Sequence, residues 1–177
     1  MQKKAYLLLE DGLLIEGKAI GKIGTSGGEI CFNTGMTGYQ EIYTDPSYVG
    51  QIIVNTTAHI GNYGATDVEQ ESGKPTIAGI VVNEFAQEYS RKSAQESLQQ
   101  YLERHGVVGI TDVDTRMLVR HIRSKGAMNA IKCVLVTVKQ VEGAGSQGVF
   151  RPAGHATCPL RCAFIAVRRK VMLPTPG

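Results

Sequence analysis

Long apolar runs are missing from the start of this sequence. Lys3 and Lys4 precede only Ala5 to Leu9 before Glu10 and Asp11 end the run. A secretory core needs roughly 7–15 apolar residues and a spanning helix about 20, so neither export nor membrane insertion is expected. Cysteine is scarce as well. Of the four, only Cys31 precedes residue 132, and Cys133, Cys158 and Cys162 all follow it. One cysteine in a body of that size argues against a disulfide framework and predicts a reducing, cytoplasmic setting. The formal net charge of +3 is too small to argue for nucleic acid or membrane, and no internal repeat is visible.

Hydrophobic residues make up 42% of the 177, enough for a packed core, and 21 glycines promise many turns. The length fits one domain, or one domain with a tail. Charge is unevenly spread. Residues 1–131 carry 12 Lys+Arg against 15 Asp+Glu, a net −3, and residues 132–177 carry 7 against 1, a net +6. An acidic body is joined to a basic tail.

Within the body, Ala5–Leu9 and Leu13–Gly17 flank Asp11-Gly12, a strong hairpin signal. Gly24–Gly28 reads as a flexible turn and Glu29–Thr34 as a third strand. Gln51–Thr56, Ile77–Val82 and Val107–Ile110 are short and β-branched, as buried strands are. Ser93 with Glu96 predicts a capping box. The helix it opens places Ala94, Leu98, Tyr101 and Leu102 on one face and stops at Gly106. Asp114 predicts the cap of a second helix through Met117, Leu118, His121 and Ile122, ending in a basic turn before Gly126. A further strand is predicted over 132–140. The expected fold is mixed α/β: a compact, β-rich sheet domain with two or three flanking helices.

Four strings in the body form a pattern: Glu29–Tyr48 (EICFNTGMTGYQEIYTDPSY), His59–Gly64 (HIGNYG), Ile80–Glu84 (IVVNE) and Gly109–Asn129 (GITDVDTRMLVRHIRSKGAMN). In order and spacing they resemble the amino-terminal domain of the small, glutamine-hydrolysing subunit of carbamoyl-phosphate synthetase. The resemblance covers roughly Lys4 to Ala130. It implies docking on a large subunit that uses bicarbonate, ATP and magnesium, with no cofactor in this chain itself. It further implies a ligase complex serving arginine and pyrimidine biosynthesis. The family's glutaminase lies in a second domain, on a cysteine in a Gly-x-Cys-x-Gly elbow with a His-x-Glu pair. Such a cysteine needs an adjacent base and a sharp turn to become a nucleophile. Neither motif occurs in these 177 residues. The chain is therefore expected to lack the glutaminase domain, to be inactive alone, and to act by interaction; the alternative is a stand-alone scaffold or regulatory module that binds the large subunit.

One substrate-binding residue follows from the resemblance. The Asp45-Pro46-Ser47-Tyr48 string matches the place where the family's amino-terminal domain reaches the glutamine pocket, which implies that the Ser47 hydroxyl contacts glutamine. Asp-Pro opens a turn and leaves the serine side chain exposed. The blander alternative is a serine that satisfies the turn's own backbone.

Other motifs have simpler explanations. Gly143-Ala-Gly145-Ser-Gln-Gly148 spells a dinucleotide fingerprint, but Pro152 and Gly154 spoil the helix it needs and no acid follows Glu142. Asp112-Val-Asp114-Thr115 misses the phosphatase pattern by one position and reads as a strand end and a helix cap. His155, Cys158 and Cys162 offer three ligands for zinc, with only distant Cys133 as a fourth, so no metal is expected. His121 reads as packed or facing the helix dipole, and His59 as part of a tight loop. Arg168-Arg169-Lys170 lacks the interleaved aromatics of a nucleic-acid site.

Charge, cysteine use and periodicity all change where the resemblance ends, near residue 131. A change of reading frame, in the gene or its recorded sequence, would explain such a junction; the alternative is a genuine but divergent tail. Residues 132–177 are then expected to be frameshifted or poorly ordered. Translating the locus in the other two forward frames after codon 130 should recover a Gly-x-Cys-x-Gly elbow followed by a His-x-Glu pair. An elbow in neither frame sinks the idea.

Overall fold

The structure is a computed structural model, and it describes residues 3–133. The strand predicted over 132–140 lies mostly outside those residues. So do the Gly143–Gly148 string, the His155, Cys158 and Cys162 group, the Arg168 cluster and the expected disorder of the tail.

The chain begins as predicted, with β1 (Lys4–Leu9) and β2 (Leu14–Gly21) paired antiparallel across the Asp11-Gly12 turn. Gly12 supplies the positive φ of 93° that this turn requires. The strand β3 (Thr25–Asn33) then starts four residues before Glu29. The predicted flexible turn at Gly24–Gly28 is largely strand. Gly28 reflects close packing: a Cβ there would sit 2.1 Å from the Gly50 carbonyl oxygen.

After β3 come α1 (Tyr39–Thr44), a 3-10 turn (Pro46–Tyr48), β4 (Ile52–Asn55), β5 (His59–Ile60), β6 (Gly79–Val81) and β7 (Glu84–Phe85). Then follow α2 (Leu98–His105), β8 (Val108–Thr111), α3 (Thr115–Lys125) and β9 (Met128–Cys133). Seven strands close into a barrel in the order β1-β2-β8-β6-β4-β3-β9, and β5 and β7 form a separate pair. The neighbours β3/β4, β4/β6 and β6/β8 run parallel, and the other barrel pairs run antiparallel. The fold is mixed α/β, rich in strand, with three helices among the described residues. The closing strand β9 runs through Cys133, so it crosses the boundary read at residue 131.

The all-apolar strands have two faces to fill. Ile52 and Val54 of β4 and Val81 of β6 join Leu7, Leu9, Ile30 and Ile110 in the barrel interior, with Leu118, Val119 and Ile122 of α3 in the same cluster. Ile53 and Ile80 point the other way, into a second cluster with Tyr39 and Tyr43 of α1 and Leu98, Tyr101 and Leu102 of α2. Both sides buried is why these strands do not alternate apolar with polar.

The capping box exists four residues later than predicted. Ser97 caps α2, and Gln100 completes the box. Residues near Ser93 are committed elsewhere: the Gln95 N–H donates to the Ala65 carbonyl and the Ala65 N–H to the Glu96 carbonyl. Asp114 caps α3 as predicted, accepting from the Met117 N–H at 2.8 Å. The helix α1 had no sequence signal, because tertiary hydrogen bonds hold it. Buried Gln40 accepts from the Thr66 N–H at 2.9 Å and donates to the Thr66 carbonyl at 2.6 Å.

Candidate functional site

Ser47 sits in the middle of the 3-10 turn Pro46–Tyr48, exposed to solvent. Asp45 caps the turn, and its carboxylate accepts from the Ser47 backbone N–H at 2.7 Å. That bond, with help from the Ser47 hydroxyl, holds the Asp45 carboxyl below its ordinary range. Thr76 braces both ends. Its hydroxyl donates to the Asp45 carbonyl at 2.8 Å, and its carbonyl accepts from the Gly50 N–H at 3.0 Å. Behind the turn, the half-buried Tyr48 hydroxyl accepts from Asn33 Nδ2 at 3.2 Å. Asp45 and Thr76 therefore supply the turn's polar partners, and the Ser47 hydroxyl makes no hydrogen bond to backbone.

A short polar chain lies beside this turn. Gln51 donates from Nε2 to Glu29 at 2.8 Å and accepts from the Cys31 thiol at 3.3 Å. The sequence reading missed it, because Glu29 and Gln51 meet only through the parallel register of Ile30 with Ile52. Burial, aided by the Glu29 charge, pushes the Cys31 thiol up to about 11. A thiol so rarely ionised at neutral pH is a poor nucleophile.

The remaining sequence candidates among the described residues take part in ion pairs and a helix cap. His121 pairs with Asp11 at 2.6 Å, tying α3 to the β1–β2 turn. Burial works against the charged form of Asp11, but the Leu13 N–H and His121 outweigh it and lower its pKa. His59 pairs with Glu84 at 2.9 Å across the β5/β7 pair. Asp112 takes a positive φ of 63°, which aspartate tolerates better than most residues, and pairs with Lys18 at 2.6 Å. Among the described residues, no group of three or more His, Cys, Asp and Glu is arranged to hold a metal. No helix there is long and apolar enough to cross a membrane.

Sequence comparison decides the family. Residues 7–132 match the profile described as carbamoyl-phosphate synthase small chain, CPSase domain. The chain belongs to that family. The small chain of Akkermansia muciniphila is 53% identical over 127 residues, covering 72% of this chain and 34% of its own length. That of Aquifex aeolicus is 51% identical over 131 residues, covering 74% and 35%. That of Escherichia coli K12 is 47% identical over 135 residues, covering 76% and 35%. The chain thus spans about a third of the length of these small-chain relatives. Every string that carried the resemblance lies within the matched region, and the barrel with its three helices is the form this small-chain domain takes here.

Proposed function

We propose that the described body is the amino-terminal domain of a glutamine-dependent carbamoyl-phosphate synthetase small chain, docking on the large chain and lending Ser47 to the glutamine pocket. The exposed, braced turn carrying Ser47 supports this most directly: a side chain that serves a pocket completed by another domain must be rigidly presented, and the Ser47 hydroxyl, engaged only by the Asp45 carboxylate of its own turn, sits on an exposed residue. The parent reaction is a ligation fed by glutamine hydrolysis, in the service of arginine and pyrimidine synthesis. ATP and magnesium are used by the large chain. This chain's residues contribute placement, not bond breaking.

Purified as it stands, the 177-residue protein should release no ammonia from glutamine. Its cysteines lack elbow glycines on both sides, no His-x-Glu occurs, and Cys31 is weakly ionised. Release of ammonia that disappears on Cys31→Ala is the contrary result.

Ser47 is tested in a full-length small chain built with this body. A hydrogen bond to a neutral substrate group is worth roughly 0.5–1.5 kcal/mol, and one to a charged group up to about 3. Ser47→Ala should therefore lower glutamine-dependent kcat/KM by about several-fold to a hundredfold and leave ammonia-driven synthesis intact. Equal loss with both nitrogen sources makes Ser47 structural.

A further inference from the structure

Most hydrogen bonds within the turn that carries Ser47 close the turn on itself. The Ser47 N–H goes to the Asp45 carboxylate at 2.7 Å and the Tyr48 N–H to the Asp45 carbonyl at 3.1 Å. The Val49 N–H reaches the Pro46 carbonyl at 3.3 Å. These bonds fix the turn's shape, not its place, and Pro46 has no N–H with which to tie it elsewhere. Its place is set from residues 71–76. The carbonyls of Tyr43, Thr44 and Asp45, three in a row, accept from the Thr76 N–H at 3.0 Å, the Ser72 hydroxyl and the Thr76 hydroxyl at 2.8 Å. The helix α1 is only six residues long and ends at Thr44, so its last carbonyls have no partner within the helix. The Glu71 N–H adds a bond to the Thr44 hydroxyl at 2.9 Å. Just beyond Thr76, the Ala78 N–H donates to the Gln51 carbonyl at 2.8 Å, and Gly79 of β6 pairs with Ile52 of β4. Thr76 is thus joined to the barrel wall on one side and to the Ser47 turn on the other.

We infer that Thr76 is a positioning residue for glutamine use: its hydroxyl holds the Asp45 carbonyl so that Ser47 stands at a fixed place against the barrel. The inference rests on the reading that Ser47 contacts glutamine, and extends it to a residue in a different segment. The Asp45 carbonyl already accepts from the Tyr48 N–H, so the Thr76 hydroxyl is not needed to satisfy that oxygen. What the second bond adds is location. Thr76 ties the turn before Ser47, and the bond from Asn33 to the Tyr48 hydroxyl ties it after. Loss of one tie should therefore loosen the turn without releasing it. Thr76 is half-buried, and valine in its place keeps the branched shape, the N–H and the carbonyl and lacks only the O–H. The turn would keep its internal bonds while its link to β6 weakened. A group lent to a pocket built by another domain must be held to within about 0.5 Å, so a small displacement is enough to weaken the contact. Serine retains the hydroxyl and should retain the role.

The test uses the full-length small chain built with this body, assembled with the large chain and assayed with glutamine and with ammonia. Thr76→Val should lower glutamine-dependent kcat/KM by about three- to tenfold, chiefly through KM, and leave ammonia-driven synthesis unchanged. Thr76→Ser should stay within about twofold of the unmodified chain. Adding Thr76→Val to Ser47→Ala should cause no further loss, because a residue that acts through the Ser47 hydroxyl then has nothing left to position. Ammonia-driven synthesis and circular dichroism of the same preparations report that each variant is folded and assembled. Thr76→Ala removes the same hydroxyl and carries the test if the valine is not tolerated. Unchanged glutamine kinetics in the valine and alanine variants, with Ser47→Ala impaired, overturn this inference and leave the Ser47 reading standing. Equal loss with both nitrogen sources, or a full further loss in the double variant, makes Thr76 structural and also overturns it. If Ser47→Ala itself leaves glutamine use unchanged, the Ser47 reading falls, and this inference with it.

Discussion

Gly28→Ala should cost the body about 3 kcal/mol or more, which for a domain of this size lowers the Tm by about 10 °C. The added methyl would meet the Gly50 carbonyl oxygen at 2.1 Å and the Ala78 methyl at 3.5 Å. A backbone oxygen cannot swing aside as a side chain can. Gly50 is itself held by its N–H bond to Thr76 and by a positive φ of 72°. Either β3 moves, breaking register with β4 and β9, or the 45–50 segment moves and carries Ser47 with it. The variant should therefore also weaken glutamine use when placed in a full-length small chain. Gly73→Ala is the comparison, since no heavy atom lies within 4 Å of its new methyl and its φ is not positive. Thermal melts of both variants decide the matter. A Gly28→Ala protein melting within about 2 °C of the unmodified one would show that the barrel wall yields here at little cost.

Leu118→Ala should be comparably severe, at about 2–5 kcal/mol. Leu118 is fully buried, and it shares the barrel-interior cluster with Val119, Ile122, Ile30 and Val54. Shortening it removes apolar contact and leaves a cavity at the seam between helix and strands, which a closed barrel cannot easily collapse to fill. Urea unfolding should show a lower midpoint with the slope unchanged, the signature of lost stability within one cooperative unit. Ile122→Val, which removes one methylene from the same cluster, should cost only about 0.5–1.5 kcal/mol. A Leu118→Ala loss below about 1 kcal/mol would mean that α3 is a detachable cover with little share in the core.

The contrast between α2 and α3 shows where local signals suffice. At Asp114 the cap, the apolar spacing and Gly126 agree, and nothing elsewhere competes for those backbone groups, so the helix forms where it is predicted. At Ser93 an equally good local signal loses, because the 95–96 backbone bonds to Ala65 and the helix must wait for Ser97. The opposite case is α1. Its Gly38 cap offers no side chain, and its buried face is Tyr, Gln and Thr. No helical stripe of apolar residues announces it, and its anchors lie across the chain at Thr66, Gly64 and Asn55.

The sequence by itself determined the family, the mixed α/β class, the opening hairpin, the buried strands and the Asp45-Pro46-Ser47 turn. These depend on residues within a few positions of one another or on long unusual strings, and such information survives without a three-dimensional frame. Tertiary structure alone decided that the strands close into a barrel, because closure needs β9 to pair with both β1 and β3, which lie far back in the chain. It alone decided that Gly28 closely approaches Gly50, that Glu29 and Gln51 meet, and that Tyr48 reaches Asn33. Each of these is a contact or a separation between distant parts of the chain, fixed by strand register and the shape of the core, and periodicity in one segment carries no record of it.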